Sequence, residues 1–195
     1  MNFKTVKNIF FIGDSESIEP LCEINRKSKI QSYVIVSKSL KIKLKKFVKV
    51  KKLVELNNDF KNFVKSNVKI EETLFISLNS KWIFNSKIIK FLKNRLINMH
   101  STRLPFTKGG AGYSWLIMKN DRINSQTFHF VNRGIDTGKV VFSYIDLVPP
   151  SARIPREFMD FDYLQLQKAY KFFIDKIKKK EDFKIVTQPK YLGNY

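Results

Sequence analysis

Apolar residues fall in short runs set about twenty residues apart. Val6 to Ile12, with its apolar stretch Ile9 to Ile12, ends at Gly13-Asp14; Tyr33 to Val36 and Thr73 to Leu78 repeat the pattern. Runs of this length and composition predict buried strands. Between the first two, Ser15 is a candidate N-cap, with Ile18, Leu21 and Cys22 spaced for the apolar stripe of a short helix. Strand, turn, helix and strand in under forty residues is the start of a βαβ unit, hence of a parallel sheet.

The same alternation continues. Val48 to Val50 predicts a short strand, and Asn57-Asn58-Asp59 caps a helix carrying Phe60, Phe63 and Val64. A helix starting near Asn85 or Ser86 turns Ile88, Ile89 and Leu92 inward, and Leu96 to Met99 is the next strand. A glycine-rich stretch, Lys108 to Trp115, enters a helix over Trp115 to Met118. Gln126 to Val131 sets Thr127, His129 and Val131 against Phe128 and Phe130, a strand with both faces in use, and Val140 to Ile145 is another. Beyond Pro149-Pro150, the residues Tyr163, Leu166, Tyr170, Phe173 and Ile177 form one helical stripe, with Lys178-Lys179-Lys180 at the end where cations oppose the helix dipole. The pattern gives an α/β fold: an open, mainly parallel, Rossmann-like sheet with flanking helices. No internal repeat or second domain is visible, so residues 1–195 read as one domain with a short C-terminal extension over 151–195.

Composition narrows the class. With 195 residues and 43% hydrophobic content the chain is long enough to bury a substantial core. No apolar run is long enough for a membrane helix, and the N-terminus lacks a signal-peptide pattern, so a cytoplasmic protein without membrane insertion is expected. A single cysteine excludes an internal disulfide and a cysteine metal cluster; no metal is expected. The net charge of +20 suits an anionic small substrate, or nucleic acid in a salt-dependent way. Its lysines are scattered, densest between Ser37 and Lys52, and lysine reads phosphate less well than arginine. Lysine with Asn, Ile and Phe also dominates proteins from AT-rich genomes. Nucleic acid is therefore the alternative, not the expectation.

Candidate chemistry sits in two stretches. Along the strand ending in Asn98-Met99-His100, Asn98 and His100 point the same way, and Pro105 closes off any extension. Gly134-Ile135-Asp136-Thr137-Gly138 is a tight turn with one carboxylate. An amide, an imidazole and a carboxylate are the groups an acyl transfer needs. Each also has a plain structural reading: Asn98 as a loop cap, His100 as a satisfied loop residue, and Asp136 as a turn former. His129, inside a strand, reads as a buried hydrogen-bonding support. Parallel open sheets bind ligands at the carboxyl ends of their strands, where the Asn79–Phe84 loop and His100 both lie. The turn at Gly13 has neither a dinucleotide fingerprint nor a P-loop. The loop Lys108 to Trp115 fits a phosphate cradle, a flexible substrate loop or close packing equally well.

In order and spacing, Asn98-Met-His100-Ser101 with Leu104-Pro105, a glycine-rich loop, and Thr127-Phe-His129-Phe-Val131-Asn-Arg-Gly134-Ile-Asp136-Thr-Gly138 resemble the formyltransferases that use N10-formyltetrahydrofolate. Arg103-Leu-Pro105, Gly109-Gly-Ala-Gly-Tyr-Ser-Trp115 and Ser151-Ala-Arg-Ile-Pro155 look most like the enzymes that formylate amino groups on nucleotide-linked sugars. The resemblance implies Asn98, His100 and Asp136 as catalytic residues. It implies Trp82, Ile83 and Phe84, with Gly134 and Ile135, as the pterin-binding positions; plain core aromatics are the other reading of Trp82 and Phe84. Lys108, Gly110, Tyr113, Trp115 and Arg153 become candidates for the nucleotide-sugar side. It further implies N10-formyltetrahydrofolate as co-substrate, a nucleotide-linked amino sugar as partner, a role in surface polysaccharide assembly, and room for a homodimer. Two features depart from relatives: Gly13-Asp-Ser-Glu is not the glycinamide-ribonucleotide enzyme's glycine-rich loop, and the chain stops at Tyr195 where relatives continue. Methionyl-tRNA or a purine precursor remains the alternative acceptor.

Overall fold

The computed structural model describes residues 3–37, 48–110 and 112–189. Most of the lysine-dense stretch and Tyr191 lie outside the described residues. Seven strands form one sheet in the order β3-β2-β1-β4-β5-β6-β7. They are β1 (Asn8–Ile12), β2 (Gln31–Ser37), β3 (Lys49–Leu53), β4 (Thr73–Ser77), β5 (Leu96–His100), β6 (Ile123–Phe130) and β7 (Val140–Leu147). The first five pair in parallel; β6 and β7 join antiparallel. The expected open, mainly parallel sheet is what forms.

Strand periodicity sorts the core into two layers. Ile9, Phe11, Val34, Val36, Leu74, Ile76, Ile97 and Met99 face one way, against α1 (Ile18–Lys27) and α5 (Pro155–Lys178). Phe10, Ile12, Tyr33, Ile35, Phe75 and Leu96 face the other, against α2 (Asn58–Asn67) and α3 (Ser86–Phe91). Abundant phenylalanine is used in contact: Phe173 meets the rings of Phe3, Phe128, Phe142 and Phe183. Such aromatic pairs add about 0.5–1.5 kcal/mol each beyond area burial.

Helix ends follow the capping signals with one exception. Asn57 accepts from Asp59 N at 2.9 Å and Asn85 from Ile88 N at 3.0 Å, as N-caps do. Ser15 does not cap α1: the helix starts at Ile18 after Ser17, and Ser15 Oγ instead accepts from Ser17 N at 3.2 Å. α5 starts at Pro155, whose missing N–H costs nothing there, while Glu157 Oε2 accepts from Arg153 N at 2.6 Å and Ile154 N at 3.2 Å. The stripe on α5 is buried except at Tyr163, which is 40% exposed because the helix there runs beside a cleft. A fully buried bond ties α5 to α1, with Tyr170 Oη donating to Asn25 Oδ1 at 2.7 Å.

Candidate active site

β5 and β6 pair so that Asn98 faces His129 and His100 faces Thr127. Directly opposed residues share a sheet face, so four polar side chains meet at the carboxyl end of β5. The turn between β6 and β7 then adds Asp136 from above. Its φ of 50° is left-handed, a conformation Asp tolerates better than most residues. Gly138 closes the turn; a Cβ there would sit 1.6 Å from the carbonyl oxygen of Phe130. Gln188 Nε2 holds the turn from outside, donating to the carbonyls of Asp136 at 2.9 Å and Gly138 at 2.6 Å.

Asp136 is the hub. Its Oδ1 accepts from Asn98 Nδ2 at 3.3 Å and lies 3.3 Å from His129 Nε2. Its Oδ2 accepts from Gly109 N at 2.9 Å and lies 3.6 Å from His100 Nδ1. Burial pulls this carboxyl's pKa up, but the His129 contact, the field of His100 and the Gly109 N–H outweigh it and hold it down to about 2. The carboxylate is ionised.

His100 is oriented by its other nitrogen. Nε2 lies 2.9 Å from the Thr107 carbonyl and 2.6 Å from Thr102 Oγ1, which itself donates to the same carbonyl at 2.9 Å. A carbonyl oxygen only accepts, so Nε2 carries the proton, and in the neutral ring Nδ1 turns a lone pair toward Asp136. Burial lowers the pKa of His100, against the pull of Asp136 and the Thr107 carbonyl. His129 is buried at 2% exposure, and its Nδ1 donates to the carbonyl of Phe130 at 3.0 Å. It is the hydrogen-bonded support read from the sequence, and the group it meets is the Asp136 carboxylate.

These groups line a cleft of about 960 Å³ over the carboxyl end of the sheet. Trp82, Ile83, Phe84, Gly134 and Ile135 lie along it, as do Gly110 and Tyr113. Lys108, Trp115 and Arg153 are not among its lining residues: Lys108 is buried at 4% exposure, and Trp115 lies under the ammonium of Lys119. Phe84 is buried with the core on the α2 and α3 face of the sheet, while Ile83 is 92% exposed and Ile135 59% exposed on the cleft wall. Trp82 Nε1 donates to Val54 O at 2.8 Å, fixing the loop after β4 to the end of β3. Two exposed apolar side chains on the wall of a cleft this size fit a flat heteroaromatic ring such as a pterin. Where a Rossmann fold would hold phosphate, Asp14 stands instead, accepting from Ser37 N at 2.8 Å and pairing with Lys81 at 3.3 Å. Among the described residues no cluster could hold a metal ion, and no helix is long and apolar enough to cross a membrane.

The sequence did not single out Thr102, Thr107, the Gly109 N–H or Gln188 as groups that hold the site. Three of these act through backbone or from distant chain, and carry no local signal. The face shared by Thr127 and His129 was the signal for the His129 contact.

No model of a known protein family matches the chain. Methionyl-tRNA formyltransferase of Thermodesulfovibrio yellowstonii is 26% identical over 80 residues, 41% of this chain and 26% of that protein. The chain thus matches about a quarter of that relative's length. WlaRD, a sugar 3N-formyl transferase solved in the presence of dTDP and 5-N-formyl-THF, superposes with a TM-score of 0.72 at 22% identity, covering 98% of this chain and 69% of that one. The N-formyltransferase from Helicobacter canadensis, in complex with folinic acid and dTDP-3-aminofucose, gives a TM-score of 0.74 at 20% identity, covering 97% and 70%. The resemblance read from the sequence is borne out in three dimensions: the chain has the formyltransferase fold.

Proposed function

We propose that this protein is an enzyme that transfers the formyl group of N10-formyltetrahydrofolate to the amino group of a nucleotide-linked amino sugar, in surface polysaccharide assembly. One observation carries the reading: an ionised Asp136 joins Asn98 and His100 in a cleft that is also lined by Trp82, Ile83, Gly134, Ile135, Gly110 and Tyr113. Of the two structures of the same fold, one was solved with dTDP and 5-N-formyl-THF and the other with folinic acid and dTDP-3-aminofucose.

The chemistry follows from the proton count. The amine's lone pair attacks the formyl carbon, the carbonyl π electrons move to oxygen, and a tetrahedral oxyanion forms. The Asn98 amide beside it is the donor for that oxygen, and one such donor is worth about 2.7–4 kcal/mol. The nitrogen must then lose a proton. His100 Nδ1 and Asp136 Oδ2 face each other at 3.6 Å as two acceptors with no proton between them. That gap receives the amine's proton, and Asp136 stabilises the imidazolium it creates. Collapse of the oxyanion breaks the bond to N10 of the folate, which leaves with that proton.

The test is incubation with formyl donor and UDP-, dTDP- or GDP-linked amino sugars. A product heavier by one formyl group is expected, and its absence with all three carriers overturns the sugar reading. His100→Asn should lower turnover by about 10²-fold or more. A second reading, with methionyl-tRNA as acceptor, has the identity to methionyl-tRNA formyltransferase and the charge of +20 in its favour. Formylation of methionyl-tRNA with no sugar product selects it.

A further inference from the structure

Of the positions expected to meet a nucleotide-linked sugar, Lys108, Arg153 and Trp115, on α4 (Gly112–Met118), do not line the cleft. The nucleotide end of such an acceptor therefore needs another wall. The cleft straddles the rim of the sheet. On β5, Leu96 and Met99 belong to opposite core layers, so Asn98 and His100 share the α2 and α3 face with Leu96. Trp82 and Phe84 pack with that same layer. Past the end of β5 the cleft reaches α5, where Arg156, Met159, Asp160, Tyr163 and Leu166 line it. Leu166 belongs to the other layer. With a pterin against Trp82 and Phe84, the side left for the amine's approach to Asn98 and His100 is that of α5.

Arg156, Met159, Asp160 and Tyr163 are spaced i, i+3, i+4 and i+7, one stripe of the helix. Its apolar members are open rather than packed: Met159 is 51% exposed and Tyr163 40%. An aromatic ring beside a thioether, both facing a cleft, offers a flat polarizable surface on which a nucleobase stacks. A base carried on a diphosphate also brings negative charge, which calls for a cation. The permanent cations among the lining residues are Arg133 and Arg156. Arg133 Nε donates to Ser86 Oγ at 2.8 Å, so it stands with α3 on the pterin side. Arg156 stands on the α5 side. Its pair with Asp160, at 3.2 Å, is open to water on both partners (76% and 65% exposed). Such a pair is weak, and a phosphate can take over the guanidinium. The turn between β1 and α1, where an open α/β sheet commonly holds phosphate, presents Asp14 and Glu16 to the cleft. Those carboxylates turn an anion away from α1 and toward α5.

We propose that the α5 stripe is the nucleotide wall of the acceptor site: Tyr163 stacks on the base, Met159 packs beside it, and Arg156 exchanges Asp160 for the diphosphate. This rests on the reading of the protein as a formyltransferase for a nucleotide-linked amino sugar, and it names the residues that hold the carrier. Tyr163 and Arg156 are two helical turns apart, about 10 Å along the axis, which suits the distance from a base to its diphosphate. The sugar then extends from α5 toward Asn98 and His100.

Calorimetric titration with dTDP, UDP and GDP reads this wall without any turnover. The wild-type protein should bind at least one of them. Tyr163→Ala should weaken that nucleotide about tenfold or more, as loss of one aromatic platform under a base does, and Tyr163→Phe should return its affinity to within about twofold. Arg156→Gln should weaken the diphosphate about tenfold while leaving the matching nucleoside, measured by its competition with the diphosphate, within about twofold. Folinic acid should bind all four proteins alike, and melting temperatures should hold because both side chains are exposed. The proposal is overturned if the wild type binds none of the three nucleotides, or if affinity survives Tyr163→Ala. It is also overturned if Tyr163→Phe fails to restore affinity, or if folinic acid is the ligand lost, which would give the stripe to the tail of the folate. Formyl transfer is scored separately. Nucleotide held through Tyr163 without formylation of any amino sugar keeps the wall and refutes the activity; a formylated sugar made by Tyr163→Ala at an unchanged KM keeps the activity and refutes the wall.

Discussion

Replacing Asp136 by Asn tests whether the carboxylate is the hub its contacts describe. In the folded protein this group titrates at about 2, against an ordinary value of 3.8. Each pKa unit corresponds to about 1.4 kcal/mol, so ionised Asp136 contributes roughly 2 kcal/mol to stability at neutral pH. The side chain is 13% exposed, so solvent screening removes little of this. The sign is that of a depressed acid. The contribution is complete above pH 3.8 and is lost as pH falls toward 2, where the folded carboxyl also takes up its proton. Asn cannot supply it at any pH, and its NH₂ faces donors from Asn98 or Gly109. Urea unfolding of both proteins between pH 7 and pH 3 measures the difference. At pH 7 the variant should be less stable by on the order of 1–2 kcal/mol, a midpoint shift of up to roughly 1 M urea, and the gap should narrow as pH drops below 4. Comparing the two proteins at each pH cancels the repulsion common to a strongly basic chain. A gap that stays constant from pH 7 to pH 3, or one below about 0.5 kcal/mol at pH 7, refutes the idea that Asn98, His129, His100 and Gly109 hold a charge there.

His100 should titrate below 6.5, because burial outweighs the attraction of Asp136; folding then favours the neutral ring, and its share of stability is lost as pH falls through 6.5. NMR titration of the two histidines checks this, and a value above 6.5 contradicts it. Tyr170→Phe strips the donor from buried Asn25 Oδ1 and should cost about 1–3 kcal/mol in urea unfolding; a cost near zero would mean the α1–α5 link is idle. Gly138→Ala forces a Cβ into the Phe130 carbonyl and should destabilise by about 1–3 kcal/mol, whereas Gly110→Ala, with open space around it, should stay within about 0.5 kcal/mol. Equal melting temperatures for these two variants would show that the turn relaxes around the methyl.

Much of the fold is written in short-range pattern. Buried parallel strands read as continuous apolar runs, and β1, β2, β4 and β5 were legible for that reason. β6 and β7 alternate instead, which is how strands with two differently used faces read, and their antiparallel pairing is not encoded in any single run. Tyr163 fits the helical spacing of the α5 stripe as well as Leu166 does, yet it is 40% exposed, because spacing specifies a face and not what stands opposite it. Asn98, His100 and Asp136 were legible as residue types at a strand end and in a turn. What fixes them was not: the Thr107 carbonyl and Gly109 N–H are backbone groups any sequence possesses, and Gln188 reaches the Asp136 turn from 52 residues away.

The seam where the sheet changes direction explains why the proposed reacting groups sit where they do. Up to β5 every strand is parallel, so the carboxyl ends of the strands alone could supply residues to the cleft, and β5 offers Asn98 and His100. An additional parallel strand would carry its crossover away from this edge. An antiparallel β6 instead runs back past β5, and its register sets His129 opposite Asn98. It then turns at Gly134–Gly138, within reach of the cleft, and that turn delivers the carboxylate. The turn can be this tight only because Gly138 passes under the Phe130 carbonyl and Asp136 accepts a left-handed conformation. The strain stored in the turn is held by Gln188, Asn98 and Gly109 from three separate parts of the chain, so the carboxylate is fixed before any substrate arrives. For the proposed formyl transfer, a preorganised anion between two imidazoles would require no rearrangement when the proton moves, which is the condition for electrostatic catalysis.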